Sequence, residues 1–113
     1  MPNPRKPKTK SCPVETTLKT IGGRWKVLII HFLLEEAKRF GDLTRSLGGI
    51  SARTLSKQLR ELEADGVVAH KDFGEIPPRV EYSLTPIGRS LEPILLAMEA
   101  WANSLEKKRR SKS

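Results

Sequence analysis

Arg53, Lys57 and Arg60 follow one another at helical spacing, and on a wheel of about 100° per residue all three fall within roughly 50° of one pole. Leu55, Leu59 and Leu62 form a stripe at the opposite pole. A helix anchored by leucines would therefore project three cations together. Thr54 and Gln58 flank them, and Arg, Lys, Gln and Thr are side chains that reach guanine, adenine and phosphate edges in the major groove. The bland reading is a solvated helix face. Against it stand the helix-turn that precedes this segment and the placement of Glu61, Glu63 and Asp65 toward its far end. A helix that enters DNA by its N-terminal half keeps acids away from that half. Ser51, at the start, belongs to the same candidate interface.

A second set lies further along. Pro77-Pro78-Arg79 puts a cation directly after a rigid corner, where an arginine can enter a narrow minor groove. The alternative is a turn with a solvated arginine. Lys71 and His70 are weaker phosphate-contact candidates. Cys12 precedes Pro13 at a helix start, and a cysteine there faces free backbone N–H groups and the positive end of the helix dipole, which favour a thiolate. Lys10 adds charge nearby. The competing role for Cys12 is a small cap that senses nothing. His31, inside an apolar helix, is expected to be a core or interface residue.

These residues need elements to hold them. Cys12-Pro13-Val14-Glu15 predicts a short helix that runs to Ile21 and stops at Gly22-Gly23. From Arg24 a second helix places Trp25, Leu28, Ile29, Phe32 and Leu33 on one stripe, with Val27, Ile30 and Leu34 beside it. A helix apolar on most of its circumference must be buried on most of it, which points to a partner subunit. Phe40, Leu43 and Leu47 mark a third helix closed by Gly48-Gly49, and Ser51 caps a fourth that ends at Asp65-Gly66. Two short helices joined by a glycine turn are a helix-turn-helix.

Val67 to Phe73 and Arg79 to Leu84 then read as a two-stranded hairpin with a proline-stiffened tip. Thr85 caps a last helix with Pro86 at its first position; Leu91, Leu95, Met98, Ala102 and Leu105 follow a near-heptad stripe, with Trp101 alongside and a kink expected at Pro93. Trp25, Leu91, Leu95, Met98, Trp101 and Leu105 are the candidate dimer contacts. The fold class is mainly α with a small β-hairpin, a winged helix-turn-helix with terminal dimerisation helices.

Composition bounds the function. The chain has 113 residues, 37% of them apolar, enough for one core. Its formal charge is +8, yet residues 1–10 and 107–113 hold nine cations and no acid; residues 11–106 carry 12 cations against 13 acids, a net −1. Nucleic-acid binding therefore rests on placement, not on net charge. Residues 1–11 and 107–113 are expected to be basic disordered tails around a domain at 12–106. One cysteine excludes an intrachain disulfide, and two histidines give no zinc-ligand spacing, so no metal or cofactor is expected. The longest apolar run, Val27 to Leu34, is too short to span a bilayer and no export signal is apparent, so a cytoplasmic, reducing setting is expected. No Ser-His-Asp set, paired carboxylates or phosphate-cradling loop argues for an enzyme. A non-specific RNA-binding or architectural module would suit the basic tails but lacks stacking aromatics.

The segments Cys12-Pro13-Val14-Glu15, Ile21-Gly22-Gly23-Arg24-Trp25-Lys26, Arg39-Phe40-Gly41-Asp42-Leu43, Gly49-Ile50-Ser51, Arg60-Glu61-Leu62-Glu63 and Pro77-Pro78-Arg79-Val80-Glu81-Tyr82-Ser83-Leu84-Thr85-Pro86 resemble, in register, the HxlR-type winged-helix transcriptional regulators, a MarR-like group. The resemblance spans about residues 12–105. It implies a homodimer joined through its terminal helices, binding a pseudo-palindromic site on double-stranded DNA with the helix from Ser51 as recognition helix. Some members of that family sense oxidants or electrophiles with the cysteine at the position of Cys12. The chain departs from the pattern at Gly48, where proline is common, and lacks the second cysteine that some redox-sensing members have.

Overall fold

A computed structural model describes residues 12–112; the expected basic tail at 1–11 lies outside the described residues. Helix α1 (Pro13–Ile21) starts with Pro13 in its first turn and Cys12 extended at the N-cap, and it stops where the Gly22 N–H donates to the Leu18 carbonyl at 2.6 Å. After it come α2 (Lys26–Leu33), the two-residue strand β1 (Lys38–Arg39), α3 (Phe40–Ser46) and α4 (Ala52–Ala64). Strands β2 (Val68–Asp72) and β3 (Val80–Leu84), then α5 (Pro86–Arg89) and α6 (Glu92–Lys112), complete the chain.

The core is built around α2. Ile29, Ile30 and Leu33 are fully buried, together with Leu43 of α3 and Leu55 and Leu62 of α4. Each such side chain contributes about 1.5–3 kcal/mol by leaving water. Leu28 and His31, on the remaining side of α2, stay exposed. Of the two places expected for His31 the core is excluded, because three apolar neighbours already fill the inward face and the histidine falls on the other side.

Strands β2 and β3 pair antiparallel from Val68↔Leu84 to Asp72↔Val80, as the hairpin reading predicts. A third strand was not foreseen. β1 pairs with the free edge of β3, Lys38↔Tyr82 and Arg39↔Glu81, giving the order β1-β3-β2. Two basic residues carry no alternation of apolar and polar side chains, so no local signal announces this strand.

The C-terminal region also differs from expectation. Thr85 caps α5, its Oγ1 accepting the Gly88 N–H at 3.1 Å, but the helix ends after Arg89. Gly88 is buried against Leu84 of β3 and Val67, and a Cβ there would sit 2.3 Å from the Val67 carbonyl oxygen, an approach only glycine permits. The chain then breaks and restarts, so Pro93 falls in the first turn of α6, where its missing N–H costs nothing. No kink at Pro93 is needed. The disorder expected from residue 107 on is corrected for residues 107–112, because α6 continues to Lys112. Once a helix is nucleated each further residue adds one backbone bond, Lys and Arg are good helix formers, and cations favour the C-terminal end of the dipole.

The 21 residues of α6 span about 30 Å. The Cα radius of gyration is 17.4 Å, where a compact domain near this length has about 13 Å, so the molecule is elongated. Among the described residues no helix is long and apolar enough to cross a membrane.

Candidate nucleic-acid interface

Helices α3 and α4 are joined by a turn in which Gly49 adopts φ +89°, a left-handed conformation that a residue with a side chain rarely takes. Ser51 caps α4. Its Oγ accepts the Thr54 N–H at 3.1 Å and donates to Thr54 Oγ1 at 2.9 Å, so both hydroxyls serve the helix start. Leu55, Leu59 and Leu62 point into the core at 0–1% exposure. Arg53, Lys57 and Arg60 are exposed on the other side, as the wheel predicts, while Thr54 and Gln58 are half-buried between the two faces.

The three cations are not equivalent. Arg60 donates from Nη1 to Ser56 Oγ at 2.8 Å, which ties it along the helix. Lys57 lies near Glu61. Arg53, in the first turn, is exposed and makes no hydrogen bond or ion pair with any described residue. The acids are drawn off this surface. Glu61 Oε1 accepts a hydrogen bond from Lys26 Nζ of α2 at 2.7 Å, and that contact holds its carboxyl below the usual range. Glu63 Oε2 meets His70 Nδ1, so His70 ties the wing to the end of α4 and is not presented to a phosphate. Burial, reinforced by the Glu63 charge, pushes the phenol of Tyr82 up beside them.

The wing is arranged differently from expectation. Arg79 does not project from the tip. Its guanidinium lies over the Phe73 ring, 3.7 Å from the centroid, with Glu75 at 3.5 Å and Glu81 at 3.9 Å. Lys71 Nζ lies 4.8 Å from the centroid of that ring. Two cations thus share one aromatic ring, a contact worth about 0.5–1 kcal/mol at an exposed site. The tip itself presents Ile76, 98% exposed. Phe73 is the residue that sequence reasoning passed over. Its signal was available, since Lys71 and Phe73 share a strand face and Arg79 stands across the hairpin from them.

This geometry yields a prediction. Arg79→Ala should lower stability by about 0.5–1 kcal/mol by removing the ring contact and should leave the slope of log affinity against log salt unchanged. Loss of a phosphate contact would reduce that slope by about 0.9. Melting curves and operator titrations at several salt concentrations distinguish the two roles.

The candidate dimer contacts separate into two groups. Leu95 is 9% exposed and belongs to the protomer's own core, and Trp25 and Leu91 pack against that core. These three are used within the chain because α6 lays its first turns across α2. Leu105 is half-buried. Met98 and Trp101 remain 48% and 68% exposed, joined by Val14 and Leu18 of α1 and by Ile94 of α6. Cys12 is exposed at the head of α1 and its thiol makes no capping bond. Among the described residues no group of three His, Cys, Asp or Glu side chains could hold a metal ion.

A capped, cation-faced helix following a glycine turn, beside a three-stranded antiparallel wing, defines a winged helix-turn-helix protein. Residues 20–110 match the model of the HxlR-like helix-turn-helix family. The HTH-type transcriptional regulator YybR of Bacillus subtilis (strain 168) is 48% identical over 98 residues, 87% of this chain and 78% of YybR. Among solved structures, the redox regulator HypR in its reduced form superposes with TM-score 0.82 at 46% identity, covering 88% of this chain and 99% of HypR. The reduced form of the regulator YodB from B. subtilis gives TM-score 0.74 at 37% identity, over 83% and 94% of the two chains. The chain belongs to the HxlR-like helix-turn-helix family and is a DNA-binding transcriptional regulator of the helix-turn-helix type.

Proposed function

We propose that the protein is a cytoplasmic, non-enzymatic regulator that binds a pseudo-palindromic duplex site as a homodimer, with one α4 in the major groove of each half-site. The exposed face of Arg53, Lys57 and Arg60, opposite three buried leucines and cleared of acids at its N-terminal half, carries this reading. Two-fold symmetry in the protein demands half-sites about one or two helical turns apart. Selection of bound sites from a random duplex library, at stated salt, tests it. A recovered inverted repeat is the expected result. Salt-dependent binding with no recovered sequence would favour the non-specific architectural module instead.

A redox or electrophile response through Cys12 is the second part of the proposal. The thiol is exposed where α1 begins, and the outward residues Val14 and Leu18 of that helix are part of the apolar surface assigned to the dimer. HypR is described as a redox regulator, and YodB has been solved after diamide treatment. With one cysteine per chain, two Cys12 thiols joining across a dimer form one S–S bond as diamide takes up two electrons and two protons; a mixed disulfide with a small thiol and an alkylated cysteine are the other products. Modification at the cap would alter the packing of α1 and the spacing of the two recognition helices. Diamide or a quinone is therefore expected to change operator affinity of the wild type about 5–150-fold, the usual span of coupling between sites. Cys12→Ser should bind with or without the reagent. Unchanged affinity after modification confirmed by mass spectrometry would make Cys12 a helix cap only.

A further inference from the structure

Helix α6 has a second side, turned away from α1. There it and α2 flank a half-open pocket of about 520 Å³, within the roughly 300–1,000 Å³ typical of small-molecule sites. Val27, Leu28, Leu34, Leu95, Leu96 and Met98 give it apolar walls. Its polar groups are His31, Glu35, Glu92 and Glu99, and no lysine or arginine lines it. Lys38 Nζ lies 3.5 Å from Glu35, whereas Glu92 and Glu99 form no ion pair with any described residue. They stand two turns apart on α6, about 10 Å along its axis. The pocket is an apolar cavity edged by two carboxylates that no described cation neutralises. The charge that completes it is positive and the body that fills it is apolar.

We propose that this pocket is an effector site for a hydrophobic organic cation. A second copy is the competing occupant, since Met98 at the groove's edge is also a candidate dimer contact; the two carboxylates without a described partner favour a cation instead. The Lys26–Glu61 contact, 2.7 Å long, joins the start of α2 to α4. A ligand that moves α2 against α6 therefore acts on the helix assigned to DNA. Only this effector role rests on the DNA-binding reading; occupancy of the pocket does not.

Tetraphenylphosphonium and tetraphenylborate, which place four phenyl groups around opposite charges, test the pocket by calorimetry on the full chain without DNA. The cation is expected to bind more tightly, although the +8 net charge of the whole chain favours the anion at long range. The double substitution Glu92→Gln and Glu99→Gln should weaken the cation about tenfold or more, as expected for losing two nearby charges, and should leave the borate unweakened. Both glutamates are exposed, so the variant is expected to keep the wild-type melting temperature, and Glu92→Gln alone provides a milder second variant. Equal or tighter borate binding, or a phosphonium affinity unchanged in both variants, would overturn the proposal. Sedimentation in which the phosphonium dissociates dimers would also overturn it, by showing that a second copy fills the groove. Operator affinity at saturating phosphonium should shift; a constant value would remove the effector role, while the DNA-free titrations report on the pocket independently.

Discussion

Trp101→Asp is expected to turn the proposed homodimer into a monomer at micromolar concentration and to abolish tight operator binding. Trp101 is 68% exposed in the protomer and lies beside Ile94 and Met98 on a helix that reaches outward from the body. Covering an exposed aromatic of this size stabilises an interface, and placing a carboxylate there reverses the sign of the effect. An uncompensated charge desolvated in an apolar seam costs about 3–5 kcal/mol, which is a loss of roughly 10²-fold or more in dimer affinity. A monomer carries one recognition helix and loses the second half-site, so operator binding falls with dimerisation. Because the side chain is exposed within its own chain, the melting temperature of the isolated fold should scarcely change. Sedimentation equilibrium and operator titration on the same sample check both parts. A variant that remains dimeric would place the interface elsewhere.

Arg53→Ala carries the second large effect. Arg53 extends from the first turn of α4, the proposed recognition helix, with no partner among the described residues, which leaves its fork free for a bidentate contact with a base edge. Removing such a contact costs about 1–3 kcal/mol, or roughly 5–150-fold in specific affinity. Preference at one position of each half-site should relax at the same time. Arg60 is tied to Ser56 and Lys57 lies by Glu61; their alanine variants are expected to weaken binding to all sequences more evenly, as phosphate contacts do. A competition assay with single-base operator variants separates the two behaviours. Wild-type discrimination in Arg53→Ala would move base reading to another residue.

The division between what was legible in the residues and what was not follows the range of the interactions. Caps, turns and helix faces are local: Pro13 after Cys12, Ser51 before its leucine stripe and the glycines at 48 and 49 act within a turn or two, and the structure starts α1 and α4 where these residues place them. The cationic face of α4 is legible for the same reason, since Arg53, Lys57 and Arg60 share a side by helical geometry alone. The rest depends on which elements meet. Nothing in Lys38-Arg39 selects a strand until β3 offers an unpaired edge. The stripe on α6 cannot say that Leu95 is spent on the chain's own core while Trp101 is left outward, because that is settled by where α2 crosses it. Arg79 after two prolines looks like a projecting cation, and only the closed hairpin, which brings Phe73, Glu75 and Glu81 around it, draws it back. The acidic pocket likewise exists only because residues some 60 positions apart in the chain, His31 and Glu92 among them, are packed side by side. Short-range hydrogen bonding and periodicity are written in neighbouring residues, whereas burial and cross-strand charge pairing belong to the assembled fold.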